Sequence, residues 1–103
     1  MNETQYRGLL LTKLRDMFPG CVILRTDPSY VQGIPDILIL FQDKWAMLEI
    51  KISGNSSVRP NQRHYVERLG EMSFASFINP ENEEEVLNDL QLAFGFVGAT
   101  RVS

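Results

Sequence analysis

The chain holds one cysteine, Cys21, and one histidine, His64. A lone cysteine excludes an internal disulfide and a cysteine-built zinc site. A lone histidine excludes a multi-histidine metal centre within one chain. No apolar run approaches the ~20 residues needed to cross a bilayer, and the opening stretch MNETQYRG is polar. The expectation is a soluble protein of the cytoplasm. Repeats, low-complexity tracts and linkers are missing too. Nor is there an excess of positive charge: ten Lys/Arg against thirteen Asp/Glu give a formal net charge of −3. That argues mildly against nonspecific binding to polyanions.

The charge is unevenly spread. Glu81, Glu83, Glu84, Glu85 and Asp89 crowd towards the C-terminus, whereas residues 1–80 hold nine Lys/Arg against eight acids. A nearly neutral body carries an acidic last helix. Its length of 103 residues and 44% hydrophobic content fit one domain, 1–103, with a core that needs no staples. Cys21 is expected inside that core beside Val22 and Ile23.

Asn2 caps an expected helix over 3–18, with Tyr6, Leu10, Leu14 and Met17 as its apolar stripe and Pro19-Gly20 as its stop. CVILRT reads as a strand and TDPSYVQGIP as a loop. DILILFQ and WAMLEIKI read as two strands joined at Gln42-Asp43-Lys44, apolar enough to be covered on both faces. After the polar loop SGNSSVR, Pro60 suits the first turn of a helix over 60–72. SFASFIN reads as a fourth strand, and a helix over 80–94 follows, its first-turn glutamates matched to the helix dipole. The tail GFVGATRVS reads as an edge strand or a frayed end. The order αβββαβα implies an α/β fold: a mixed four-stranded sheet flanked by helices.

Several polar residues sit where such a fold turns inward. Along WAMLEIKI, Glu49 and Lys51 share one strand face, about 6–7 Å apart at ~3.3 Å per residue. Asp36 begins the preceding strand. An even-length loop pairs it with Glu49 or Lys51; a three-residue loop pairs it with Ile50 on the far face, unless a bulge intervenes. Glu3 lies three residues before Tyr6 and seven before Leu10, so it continues the inward row of the first helix. Gln62 continues the row of Tyr65, Val66 and Leu69. Taken singly, each has a plain explanation: a helix-start acid, a turn residue, an exposed pair, the solvent edge of a stripe. Convergence of all five would not. Buried polar groups need partners, so convergence points to one shared polar site.

Phosphodiester hydrolysis suits such a site. Hard carboxylate oxygens select Mg²⁺ or Mn²⁺. Such an ion polarises a phosphate and lowers the pKa of a bound water. A nearby lysine orients that water or neutralises the charge of the transition state.

Gly33-Ile34-Pro35-Asp36 followed by Glu49-Ile50-Lys51 resembles the PD-(D/E)xK nuclease signature. Arg59-Pro60-Asn61-Gln62-Arg63-His64-Tyr65 resembles the helix start that follows the motif in the VRR-NUC branch, whose small stand-alone members occur in phages and bacteria. The likeness runs from Glu3 to about Asn79. It implies a restriction-endonuclease-like fold and a Mg²⁺- or Mn²⁺-dependent deoxyribonuclease. It further implies Asp36, Glu49 and the Ile50 carbonyl as metal ligands, with Glu3 completing the shell. Lys51 would position or activate water, Gln62 would support the lysine or the scissile phosphate, and Gly33 would shape the turn presenting Asp36. One departure is Arg59 before Pro60, where the family usually has a capping residue such as Ser. A cap worth about 1 kcal/mol is lost, and a guanidinium is placed beside a phosphate site.

Arg7, Arg25, Lys44, Arg59, Arg63 and Arg68 are the candidate phosphate-binding cations. Arg59, Arg63 and His64 stand nearest the motif and are the first candidates for DNA contact, joined by Ser29 and Tyr30 in the loop before Gly33. A chain this short has little surface for reading sequence. The expectation is therefore structure-selective cleavage of branched DNA such as a four-way (Holliday) junction, by a homodimer that makes two symmetric cuts. The competing expectations are a nonspecific or nicking nuclease subunit of a larger complex, a DNA-binding module of the same fold without chemistry, and a purely structural domain.

Overall fold

The computed structural model describes residues 1–95. Helix α1, Glu3–Met17, begins with a reciprocal cap: the Asn2 side chain accepts from the Gln5 N–H at 2.8 Å, and the Gln5 side chain accepts from the Asn2 N–H at 2.9 Å. Such a pair satisfies two orphan donors of the first turn and contributes about 1 kcal/mol. Strands β1 (Val22–Arg25), β2 (Ile37–Phe41) and β3 (Lys44–Ile50) form an antiparallel meander. Helix α2 (Pro60–Met72) crosses over to β4 (Phe74–Ile78), which joins β3 in parallel, and α3 (Glu83–Ala93) closes the described chain. The sheet order is β1-β2-β3-β4, and the element order αβββαβα is the expected one.

The sheet has two different faces because strand side chains alternate. Ile37, Ile39 and Phe41 of β2 and Ala46, Leu48 and Ile50 of β3 point into the core. There they join Tyr6, Leu10 and Leu14 of α1 and Val86, Leu87 and Leu90 of α3 in one buried cluster. The rings of Phe18, Phe41 and Phe94 close one end, with centroids 5.1–5.6 Å apart in tilted and edge-on contacts. Tyr6 Oη donates to Glu83 at 2.9 Å, and Lys13 also pairs with Glu83, so α1 and α3 are tied to each other above the sheet. Burial and the Glu83 carboxylate push the Tyr6 hydroxyl well above its usual range, so it stays protonated as a donor.

The opposite face is where polar residues collect. Helix α2 packs there on β3 and β4. None of its residues is fully buried: Tyr65, Val66 and Leu69, expected inward, are half-covered. Over β1 and β2 this face is open. Val22 is 51% and Leu24 47% exposed, and both pair across the ladder with residues of β2. The expectation that β2 is covered on both faces therefore fails at Leu40, which is exposed.

Two boundaries and one burial differ from the sequence reading for local reasons. The β2–β3 connection is a two-residue loop, since Phe41 pairs with Lys44. Gln42 takes a left-handed backbone there, with φ 57°. Helix α3 starts at Glu83 rather than Pro80, because Asn79 Oδ1 accepts from the N–H groups of Glu81 and Asn82 and folds the intervening residues into a turn. Cys21 is half-buried beside an exposed Val22, not enclosed. Of the tail GFVGATRVS, all but Gly95 lies outside the described residues. Among the described residues no helix is long and apolar enough to cross a membrane.

Candidate active site

The two-residue loop settles the register. Ile37 pairs with Leu48, so Asp36, one residue earlier, stands opposite Glu49. Both carboxylates belong to the α2 side of the sheet, at the end where β2 and β3 part. Thr26 N–H donates to the Asp36 carbonyl at 2.9 Å, carrying the β1–β2 ladder one step beyond its strands. On the other side of Asp36 the ladder stops. There the side chain takes over: Asp36 Oδ2 accepts from the Ile50 N–H at 2.8 Å. Lys51 N–H points the other way and donates to the Ile78 carbonyl at 2.9 Å. The carboxylate thus replaces a backbone acceptor just where the strands separate, and the gap becomes the floor of a cleft.

Glu49 is 4% exposed. Its Oε2 accepts from Gln62 Nε2 at 3.0 Å and lies 3.7 Å from Lys51 Nζ. Gln62 Oε1 in turn accepts from Lys51 Nζ at 3.0 Å and from the Arg59 N–H at 3.0 Å. One amide therefore links the carboxylate, the lysine and the first turn of α2. It also supplies a helix-start hydrogen bond where Arg59 provides no side-chain cap. Burial raises the Glu49 carboxyl from 4.5 to about 7; the nearby Asp36 charge adds to this, Lys51 opposes it, and Glu3 adds a smaller push.

Glu3 itself is on the rim rather than inside. Its side chain is 49% exposed and pairs with Arg7, one helical turn on, at 3.7 Å, while Arg7 is only 15% exposed. The inward row expected for Glu3 is thus corrected: the side chain stands half in solvent, held by Arg7 one turn on, while its charge still acts on Glu49.

The cleft has a volume of about 560 Å³. Asp36 and Glu49 form its floor. Arg59, Asn61 and Gln62 line it from α2, and Ser29, Gln32 and Gly33 line it from the loop between β1 and β2. These two walls touch. Gly33 has φ +89°, and a Cβ there would lie 2.4 Å from the Cβ of Asn61, closer than two carbons can approach. Only glycine allows both the left-handed turn and that contact.

Asp36, Glu49, Lys51, Gln62, Ser29 and Arg59 are therefore brought together, and the Ile50 backbone lies between Glu49 and Lys51. Arg63 and His64 are exposed on α2 and do not line the cleft, nor does Tyr30. Lys44 sits at the far end of β3 paired with Asp43, and Arg68 pairs with Glu71 on the surface of α2. Pro28, Gln32 and Asn61 line the cleft without a sequence signal of their own. Asn61 could have been found only by knowing that Gly33 meets it.

Do these residues suit a divalent cation? Among the described residues no group of three or more His, Cys, Asp or Glu side chains is placed to hold one. The donor set present is smaller. Asp36 Oδ1 and the buried Glu49 Oε1 receive no hydrogen bond among the described residues, although their partner oxygens do. Two carboxylates face each other, only Glu49 has the lysine within ion-pair distance, and burial holds Glu49 back from ionising. A hard cation would satisfy both free oxygens and relieve that repulsion.

No protein-family model matches the sequence, and no curated protein matches it. The fold does have a counterpart. A solved structure described as a VRR_NUC domain protein superimposes with a TM-score of 0.60, covering 94% of this chain and 88% of its own, at 16% sequence identity. The class defined here is thus an α/β domain with the VRR_NUC fold: a mixed four-stranded sheet flanked by helices in the order αβββαβα.

Proposed function

We propose that this chain is a nuclease of the PD-(D/E)xK type that hydrolyses DNA phosphodiester bonds with Mg²⁺ or Mn²⁺. The observation that carries the reading is the cross-strand pair Asp36 and Glu49, with Lys51 beside it and Gln62 joining the last two. Asp36, Glu49 and the Ile50 carbonyl would hold the metal, with Glu3 available from the rim. The ion would polarise the phosphate and lower the pKa of a water. Gln62 holds Lys51 Nζ beside Glu49, so the ammonium offers a proton and a positive charge where negative charge gathers. The closed contact of Gly33 with Asn61 fixes the two walls, and Arg59 adds a phosphate-binding cation on one of them.

Within that reading the substrate is branched DNA, such as a four-way junction, and the working unit is a homodimer in the cytoplasm. Size and symmetry support it. A chain of 103 residues has little surface for base readout, and two symmetric cuts call for two sites related by a two-fold axis.

A labelled four-way junction and a matching linear duplex, incubated with Mg²⁺, Mn²⁺ or EDTA, test this. Cleavage is expected with metal, with preference for the junction. Lys51→Ala is expected to lower it by about 10²-fold or more, as for loss of one charge-stabilising donor. A light-scattering mass of one chain would remove the dimer. That no third His, Cys, Asp or Glu side chain joins the pair among the described residues is the one observation favouring a DNA-binding module without chemistry, or a subunit that needs a partner. Binding without cleavage under every condition would establish that second reading.

A further inference from the structure

The loop between β1 and β2 carries a side chain that the protein itself does not use. Tyr30 is 91% exposed. Among the described residues its hydroxyl makes no hydrogen bond and its ring touches no other ring. Val31, next to it, is exposed as well. An aromatic ring left in water adds little to the fold and is open to contact from outside the chain.

The segment that carries it is braced. Asp27 Oδ1 accepts from the Ser29 N–H at 2.9 Å and from Ser29 Oγ at 2.7 Å, and the Tyr30 N–H donates to the Asp27 carbonyl at 3.0 Å. The Ile34 N–H closes a second turn on the Val31 carbonyl at 3.3 Å. At the loop's base Thr26 Oγ1 donates to the Pro35 carbonyl at 2.7 Å. Gly33 is wedged against Asn61. Ser29 and Gln32, on either side of the tip, face the cleft, while Tyr30 and Val31 stand clear of it. The loop that bears the ring is thus fixed beside the cleft, a few residues from Asp36, and the ring projects from it into solvent.

We propose that Tyr30 stacks on an unpaired base next to the scissile phosphate and so gives the site its preference for branched over continuous duplex DNA. The proposal rests on the nuclease reading of the same cleft. A phosphate at Asp36 and Glu49, held by Arg59 on one wall, sends the adjoining nucleotide past the other wall, where the ring stands. Bases of an intact duplex are stacked on each other and closed to it. At a branch a base is free, and stacking on an aromatic face needs no particular sequence. A tyrosine ring has few rotamers to lose on contact.

The test uses a four-way junction with 2-aminopurine at the branch, and the matching linear duplex. Binding is read in Ca²⁺ and cleavage in Mg²⁺. The wild-type chain quenches the probe on binding. Tyr30→Phe keeps the quenching. Tyr30→Ala loses it, and its junction-over-linear cleavage ratio falls about tenfold, the scale of one base–aromatic stack. Unchanged quenching or an unchanged ratio in Tyr30→Ala overturns the proposal, as does loss of quenching in Tyr30→Phe. If the wild type quenches but cuts no DNA, the nuclease reading fails and takes the cleavage preference with it, while stacking on the branch base stands as a binding contact. If the wild type binds without quenching, or does not bind, the stack fails whatever the cleavage shows.

Discussion

Glu49→Gln is expected to abolish cleavage and, at the same time, to make the metal-free protein more stable above neutral pH. The side chain is almost fully enclosed, faces Asp36 across the strands, and titrates near 7 instead of 4.5. Below pH 4.5 the carboxyl is protonated in both folded and unfolded chains and contributes no pH dependence. Between 4.5 and 7 the unfolded chain gives up its proton while the folded chain keeps it, so stability falls as pH rises. Above 7 the full penalty is present, roughly 3 kcal/mol for a rise of that size. Glutamine keeps the shape and cannot ionise. Urea denaturation of both proteins in EDTA at pH 5 and pH 8 measures this: the wild type should lose stability relative to the variant between the two. Parallel behaviour would mean that the carboxylate is not held back by its surroundings. The same change removes a proposed metal ligand, and cleavage should fall by about 10³-fold or more. A residue that weakens the fold in its working protonation state is one the fold alone does not require.

Asp36 should behave in the opposite sense. Its Oδ2 is the acceptor for the Ile50 N–H, at a residue that is 1% exposed. Asp36→Ala leaves that donor buried without a partner, at a cost of about 1–3 kcal/mol. Asp36→Asn retains a carbonyl oxygen in the same place and should cost less than about 1 kcal/mol. Both remove the charge, so both should lose cleavage by a similar, large factor. Thermal unfolding alongside the cleavage assay separates the two roles. If Asn and Ala are equally destabilising, the hydrogen bond is not what closes the strand end. If Asn remains active, the negative charge is not what the chemistry needs.

These contrasts show which parts of the molecule can be read from sequence. Glu49 and Lys51 fall on one face of β3 by alternation alone, and Gln62 falls on the inward row of α2 by helical spacing. The partner of Asp36 could not be read, because it depends on one residue of loop length. Gln42-Asp43 carries no glycine or Asn-Gly pair to announce a two-residue turn, yet Gln42 adopts the left-handed backbone the turn requires. Glu3 was set too deep because periodicity gives a direction around a helix and not the depth of burial at its first turn, where Glu3 stays half exposed and pairs with Arg7. The start of α3 was set too early because Asn79-Pro80 resembles a helix cap, while Asn79 in fact closes a turn ahead of it. The meeting of Gly33 with Asn61 joins positions far apart in the chain and leaves no local trace. Coverage was the least legible property. Leu24 of β1 and Leu40 of β2 look like core from their composition, but α2 packs chiefly on β3 and β4 and leaves them exposed.

Strand β3 interleaves two sets of residues. Ala46, Leu48 and Ile50 hold the core, whereas Met47 and Glu49, with Lys51 just beyond, belong to the cleft side. Substitution can alter either set separately. Insertion or deletion of a single residue cannot, because the pleat would exchange them, turning the carboxylate into the hydrocarbon and the hydrocarbon into the cleft. The strand therefore has something like a reading frame, tolerant of spelling changes and intolerant of shifts, and the frame is kept by a two-residue loop at one end and one aspartate at the other.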